Sequence, residues 1–227
     1  MDFGSAYIPI TIGNFSFRLT ETVIDTWIIM LVLIIFAVIV RIKLKKFTEV
    51  PESGFQNFIE TIVEMMDSFV TSNMGVKYSY FGCWFFGVFA FILVSNLSGL
   101  IALRPPTADL ATTAALALTT FVLIHFMGLI TGKLGYFKGY LEPIPFLLPL
   151  NIISEIATPI SLSFRLFGNI LGGLIIMGLV YTLPIYVRFF IPGFLHMYFD
   201  VFAGCLQTFI FVMLSMTFIK DKIPDEI

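Results

Sequence analysis

The sequence predicts an all-α integral membrane protein: five membrane-embedded helices, the last two forming a C-terminal hairpin, and one amphipathic interfacial helix. Three observations carry this. Of 227 residues, 58% are hydrophobic and 12% charged, with 27 phenylalanines; a soluble domain carries roughly 25% charge. Apolar runs long enough to cross a bilayer core of about 30 Å recur along the chain. The charges gather at the ends of these runs, with a few exceptions inside them. A disordered chain, an ordinary cytosolic enzyme and a nucleic-acid binder are excluded by composition, and a net charge of −2 offers no basic footprint.

The N-terminal Met1–Ser5 contains an acid and lacks the positive start of a cleavable signal. The first span runs from Val23 to Val40, with Asp25 near one end and Arg41, Lys43, Lys45 and Lys46 at the other. From Phe55 to Val70 the pattern changes. Phe55, Phe58, Ile59, Ile62, Met66 and Phe69 recur at helical spacing, with Gln56, Asn57, Glu60, Glu64 and Asp67 between them. That is an amphipathic helix at an interface, and its acidic face suits a protein neighbour better than anionic lipid.

Tyr80–Leu103 is an uncharged second span, and Leu110–Gly132 a third, with His125 its one titratable group and Asp109 suited to cap it. Beyond it lie two apolar stretches, Pro143–Val187 and Phe189–Ile219, interrupted by Pro159, Pro184 and Pro192. The first is too long for one upright helix, so it breaks at proline or tilts steeply; Pro184 and Pro192 bracket the expected turn. The single membrane domain, residues 1–227, thus divides into 1–50, 51–78, 79–140 and 141–227. Cys83 and Cys205 lack metal spacing and read as small core residues.

Lysine and arginine set the orientation. With the Arg41–Lys46 cluster cytoplasmic, nine basic residues fall inside and three (Arg18, Arg104, Arg188) outside, over five passes. The N-terminus is then outside and the C-terminus cytoplasmic.

Three charges stand inside the last two stretches: Glu155, Arg165 and Asp200. An arginine at mid-membrane costs roughly 2.5–3.5 kcal/mol on insertion scales, and guanidinium does not escape by deprotonating. Intramembrane charge marks an ion path more often than a structural pair. The face of Arg165 carries Ser154, Thr158, Ser161, Gly168, Asn169 and Gly172, with Asn151 at its edge. Gly168 and Gly172 form a close-approach pair for another helix. Glu155 lies about 80° off this face and about 15 Å along the axis, so it does not pair with Arg165. On the following helix His196, Asp200, Gly204, Gln207, Phe211 and Ser215 share a stripe. A nucleophile–base pair, a phosphate loop and a metal cluster are all lacking in the sequence.

The run from Pro149 to Asn169, and above all its core Ser161-Leu162-Ser163-Phe164-Arg165-Leu166-Phe167-Gly168-Asn169, resembles subunit a of the F-type ATP synthase, the membrane stator facing the rotating c-ring. Leu206–Leu214, Asn96–Ile101 and Pro105–Asp109 are similar to other blocks of that family. The resemblance implies a long tilted hairpin curving round the c-ring and a stator that conducts ions through two half-channels, without a catalytic site of its own. It implies that Arg165 is the essential arginine and Gln207 its neighbour. Asn169, Glu155 and Asp200 belong to the ion path, with Asn151, Ser154, Thr158, Ser161, His196, Asn96 and Asp109 as further lining. Gly168 and Gly172 then pack against the ring.

The implied partners are the c-subunit ring, b-type stalk subunits, the soluble ATPase head and lipid, in a bacterial plasma membrane. The transported ion is H+, or alternatively Na+, and a bound cofactor is not expected. Two departures stand out. Ala102 occupies a frequent proline position, and Leu174 replaces a polar residue, leaving Asp200 without that partner. Two other readings compete. A secondary transporter ordinarily shows inverted repeats, which are not found here. An antiporter-like subunit of a redox-driven pump is expected to carry charges in several spans rather than in the last hairpin.

Overall fold

The computed structural model describes residues 7–12, 15–45, 47, 53–101, 103–139, 141 and 144–223. Met1–Ser5, Lys46, Ala102 and Pro143, which the sequence reading used, lie outside the described residues. Five helical stretches among the described residues are long and apolar enough to cross a membrane. The chain forms two compact units, Met1–Pro106 and Thr107–Ile227.

Unit 1 opens with a feature that the sequence reading missed. Strand β1 (Tyr7–Ile12) pairs antiparallel with β2 (Phe15–Thr20), Ile12 opposite Phe15 and Tyr7 opposite Thr20. Both segments alternate apolar and polar residues, the period of a strand, and two residues separate them. Helix α1 (Glu21–Leu44) follows, about 36 Å long at 1.5 Å per residue. It buries only Thr22, Asp25 and Ile29, one narrow face, and leaves Trp27, Leu31, Ile34 and Ile35 exposed. An apolar exterior of this kind suits lipid.

Helix α2 (Gly54–Met74) is the expected amphipathic helix. Ser53 caps it by accepting from the Gln56 N–H at 3.1 Å, and Ile59, Met66, Val70 and Met74 form its buried stripe. Helix α3 (Gly82–Leu97) lies between 3₁₀ turns at Val76–Phe81 and Ser98–Ile101 and buries Phe85 and Ile92. It packs against both α1 and α2.

Unit 2 is three packed arms. Helix α4 (Leu110–Gly139) receives its start from Asp109, whose carboxylate accepts from the Ala111 N–H at 3.0 Å. Thr113, Ala117, Thr120, Ile124 and Met127 form its buried face, at steps of three and four. At Lys133 the backbone leaves the helical region (φ 47°). The chain then folds back so that the Tyr136 ring lies over Gly128, where an added Cβ would stand 2.4 Å from the ring. Helix α5 (Leu148–Val180) runs 33 residues straight through Pro159. Its length, about 50 Å, exceeds an upright span, so of the two expectations the unbroken helix holds.

The hairpin turn differs from its expected place. It occupies Tyr181–Pro184, and Pro192 lies inside helix α6 (Ile185–His196). Pro184 stands at the N-cap of α6, where its missing N–H costs no helical hydrogen bond. A π-helical segment, Met197–Ala203, joins α6 to α7 (Gly204–Asp221). The core joins Leu162, Leu166, Ile170 and Met177 of α5 to Phe211, Val212, Met216 and Ile219 of α7. Thr113 and Ser163 bond at 3.2 Å between α4 and α5. Cys83 and Cys205 are exposed, not core: an apolar residue in lipid has no reason to be inside.

At Gly173 a Cβ would meet the Phe199 side chain at 3.2–3.3 Å, whereas at Gly178 it would meet nothing within 4 Å. Overpacking costs about 1–3 kcal/mol, and alanine gains roughly 0.5–1 kcal/mol over glycine in a helix. Gly173→Ala should therefore lower the thermal midpoint of the solubilised assembly, while Gly178→Ala holds or raises it. Equal midpoints would refute close packing at Gly173.

Candidate functional site

Helix α5 divides its surface between two tasks. Residues 159, 162, 166, 170, 173 and 177 are buried, at steps of three and four. At about 100° per residue, Arg165 points roughly 100° away from the centre of that face. Arg165, Ser161 and Gly168 are consequently exposed, with Thr158, Asn169 and Gly172 half-buried beside them. Among the described residues Arg165 makes no hydrogen bond or ion pair. An added Cβ at Gly168 or Gly172 meets nothing within 4 Å among the described residues, so the stripe is open at these two positions.

Glu155 falls on the other side, as its 80° offset requires. It forms an ion pair with the ammonium of Lys222, just beyond α7, and its second oxygen lies 3.9 Å from His125 Nε2 of α4. His125 is held through Nδ1 against the Phe121 carbonyl at 3.0 Å. Beside this trio opens a cavity of about 640 Å³ lined by Asn151, Ser154, Glu155, Tyr136, Asp221 and Lys222. A second cavity of about 270 Å³ is lined by Ser154, Thr158, Ser161, Arg165 and Phe218. Ser154 borders both. Ala157 and Leu162 also line the second, with the hydroxyl-bearing Ser154, Thr158 and Ser161 on the same cavity as the arginine.

The opposite end of the hairpin has its own cluster. The His196 ring lies with Nδ1 2.5 Å from the Asp200 carboxylate, and its Nε2 is 3.1 Å from the Tyr181 hydroxyl. Asp200 sits in the π-helical segment, a geometry frequent at functional sites. Asp200 thus has a partner four residues before it, in His196. Asn169 donates to the Ala203 carbonyl at 3.5 Å. One turn from that contact on each antiparallel helix stand Arg165 and Gln207, so the two share a depth. Gln207 is 7% exposed, and its amide nitrogen has no hydrogen-bond partner among the described residues.

Asn96 lies in unit 1, on α3, fully buried. Asp109 caps α4. The sequence reading passed over Lys222, Tyr181 and His125 as site residues. Lys222 meets Glu155 across 67 positions, which no local pattern signals. Tyr181 lies 15 positions from His196, across the turn.

The described geometry is that of an integral membrane protein that holds two charges, Glu155 and Arg165, along one long helix. The family model described as ATP synthase A chain matches residues 23–220. The "ATP synthase subunit a, sodium ion specific" of Propionigenium modestum is 38% identical over 231 aligned positions, 94% of this chain and 77% of that protein. Subunit a of Solidesulfovibrio magneticus is 38% identical over 208, covering 89% and 84%. Chloroplast subunit a of Oedogonium cardiacum is 35% identical over 217, covering 90% and 83%. The chain belongs to the ATP synthase A chain family, subunit a of the F-type enzyme. It is a membrane component of the Fo sector with a role in ion translocation. The transporter and redox-pump readings fall with that membership.

A coupled His196–Asp200 pair has a measurable signature. Removing one partner of a half-buried pair costs about 1–3 kcal/mol. His196→Ala and Asp200→Ala should each lower the melting point of the assembly, and the double variant should fall little further. Additive losses would mean that the two side chains do not interact.

Proposed function

We propose that this chain is the stator that carries cations to and from a ring of c subunits through two offset half-channels, with Arg165 as the barrier between them. The observation that supports it best is the exposed, unpartnered guanidinium on a small-residue stripe, with one polar cluster to either side along the same helix. Glu155 lies about 15 Å one way; Gly173, which packs on Phe199 beside Asp200, lies about 12 Å the other. By the basic-residue rule the Glu155 end is cytoplasmic and the Asp200 end outside, in a bacterial plasma membrane. The partners in this reading are the c-ring on the open stripe, b-type stalk subunits and, through them, the soluble head.

The mechanism follows from charge. A ring carboxylate about 4 Å from Arg165 gains roughly 4 kcal/mol in its ionised form at an effective dielectric of 20, about a thousandfold. It gives up its cation there and reloads only after passing into the other half-channel. The same guanidinium repels cations that would run straight through. The buried amide of Gln207, at the same depth, is free to orient the arginine or the passing carboxylate. Protons move along such hydroxyl- and imidazole-lined paths, and sodium suits their oxygen donors as well; the sodium-specific relative makes both ions worth measuring.

In reconstituted vesicles, Arg165→Ala should abolish ATP-driven uptake of protons or sodium while the assembled membrane sector still exchanges ions passively. Near-normal uptake would overturn the reading. With Cys83 and Cys205 replaced, cysteines beside Glu155 should react with impermeant thiol reagents from the cytoplasm, and those beside Asp200 from outside. Labelling of both from one face would refute the offset arrangement.

A further inference from the structure

The cluster at the Asp200 end of the hairpin is held from across the turn. Tyr181 is the residue at which α5 ends, and both of its backbone groups are anchored. Its N–H donates to the Met177 carbonyl at 3.0 Å, and its carbonyl accepts from the Arg188 guanidinium at 3.3 Å. From that fixed base its hydroxyl reaches His196 Nε2 at 3.1 Å, while Nδ1 of the same ring meets one oxygen of Asp200 at 2.5 Å. Exposure falls along this chain: Tyr181 is exposed, the His196 side chain is 32% exposed and that of Asp200 16%.

The direction of each bond follows from the chemistry of the groups. An ionised carboxylate only accepts, so the Nδ1 that faces it carries the ring's proton. A neutral ring is then bare at Nε2, and the tyrosine O–H donates to it. Among the described residues the second oxygen of Asp200 makes no hydrogen bond or ion pair. We infer that Tyr181 is a positioning residue of the outer half-channel: through His196 it fixes the tilt of the imidazole, so that Asp200 is held by one oxygen and offers the other to the entering cation. The inference rests on the half-channel reading above. A ring bonded at both nitrogens cannot turn about its side-chain bonds. Bonded at Nδ1 alone, it swings together with the carboxylate, and the open oxygen loses its fixed aim. Among the described residues, the other charged group bonded to this chain is Arg188, at the Tyr181 backbone. A tyrosine that merely seats the turn would act through its ring, which phenylalanine retains.

The test uses the complete reconstituted ATP synthase, with assembly checked by co-purification of the c-ring and head. ATP synthesis is followed against the cation concentration on the Asp200 side, with protons varied in one series and sodium in another. Tyr181→Phe should raise the half-saturating concentration of the coupling cation on that side about fivefold, the size of one ordinary hydrogen bond, with a smaller change in the maximal rate. In the ATP-driven direction, half-saturation from the Glu155 side should not move. His196→Ala should shift the Asp200-side value at least as far, and adding Tyr181→Phe to it should change nothing more. An unchanged half-saturation in Tyr181→Phe, an equal shift on both sides, or a larger effect than that of His196→Ala would overturn the inference. Arg165→Ala is run alongside: its loss of ATP-driven uptake keeps the stator reading standing whichever way Tyr181 falls, whereas retained uptake would mean that the stator reading itself had failed.

Discussion

Everything in the second unit is arranged around a charge that does not disappear. Guanidinium remains protonated in any protein setting, and a lone one at membrane depth is costly. Among the described residues the fold does not answer that cost. Helix α5 turns Arg165 away from its buried face, and the two acids nearest along the hairpin are matched elsewhere, Glu155 by Lys222 and Asp200 by His196. Among the described residues nothing supplies a counter-charge for Arg165, and in the proposed stator reading it comes from the ring.

The same logic explains a core that looks thin for 227 residues. In water, α1 with Leu31, Ile34 and Ile35 exposed would aggregate; in lipid that surface is matched by its solvent. Helices are then held by close packing and by a few polar contacts, such as Thr113 with Ser163. The expectation that Cys83 and Cys205 are core residues failed for this reason. It applied the inside-outside rule of soluble proteins to a chain whose outside is apolar.

What was legible in the sequence was whatever depends on length and period. The apolar runs marked the spans, the 3.6-residue rhythm marked α2, and the angular position of Glu155 relative to Arg165 already separated the two. The β1–β2 pair was legible too, in its alternating pattern, and was overlooked because composition turned attention to helices. The turn at Tyr181–Pro184 and the π-helical segment were harder. Pro192 can end a helix or be absorbed within one, and here packing absorbed it. The Lys222–Glu155 pair was out of reach, because it exists only when α5 and α7 lie antiparallel in register.

That register gives the hairpin its chemistry. Two cross-helix contacts, Asn169 with Ala203 and Glu155 with Lys222, fix the alignment of α5 and α7 at separate depths. Between them Arg165 and Gln207 are brought level without touching through any hydrogen bond. Glycine completes the arrangement. Gly173 is filled by Phe199 and closes the hairpin on itself, whereas Gly168 and Gly172, on the arginine stripe, are left open. One helix thus uses the same small residue for two ends: to bring its own hairpin partner near and to keep a lane clear beside the charge. In the proposed stator reading, that open lane, at the depth of an arginine and an amide without hydrogen-bond partners among the described residues, takes the neighbouring helix that brings the carboxylate.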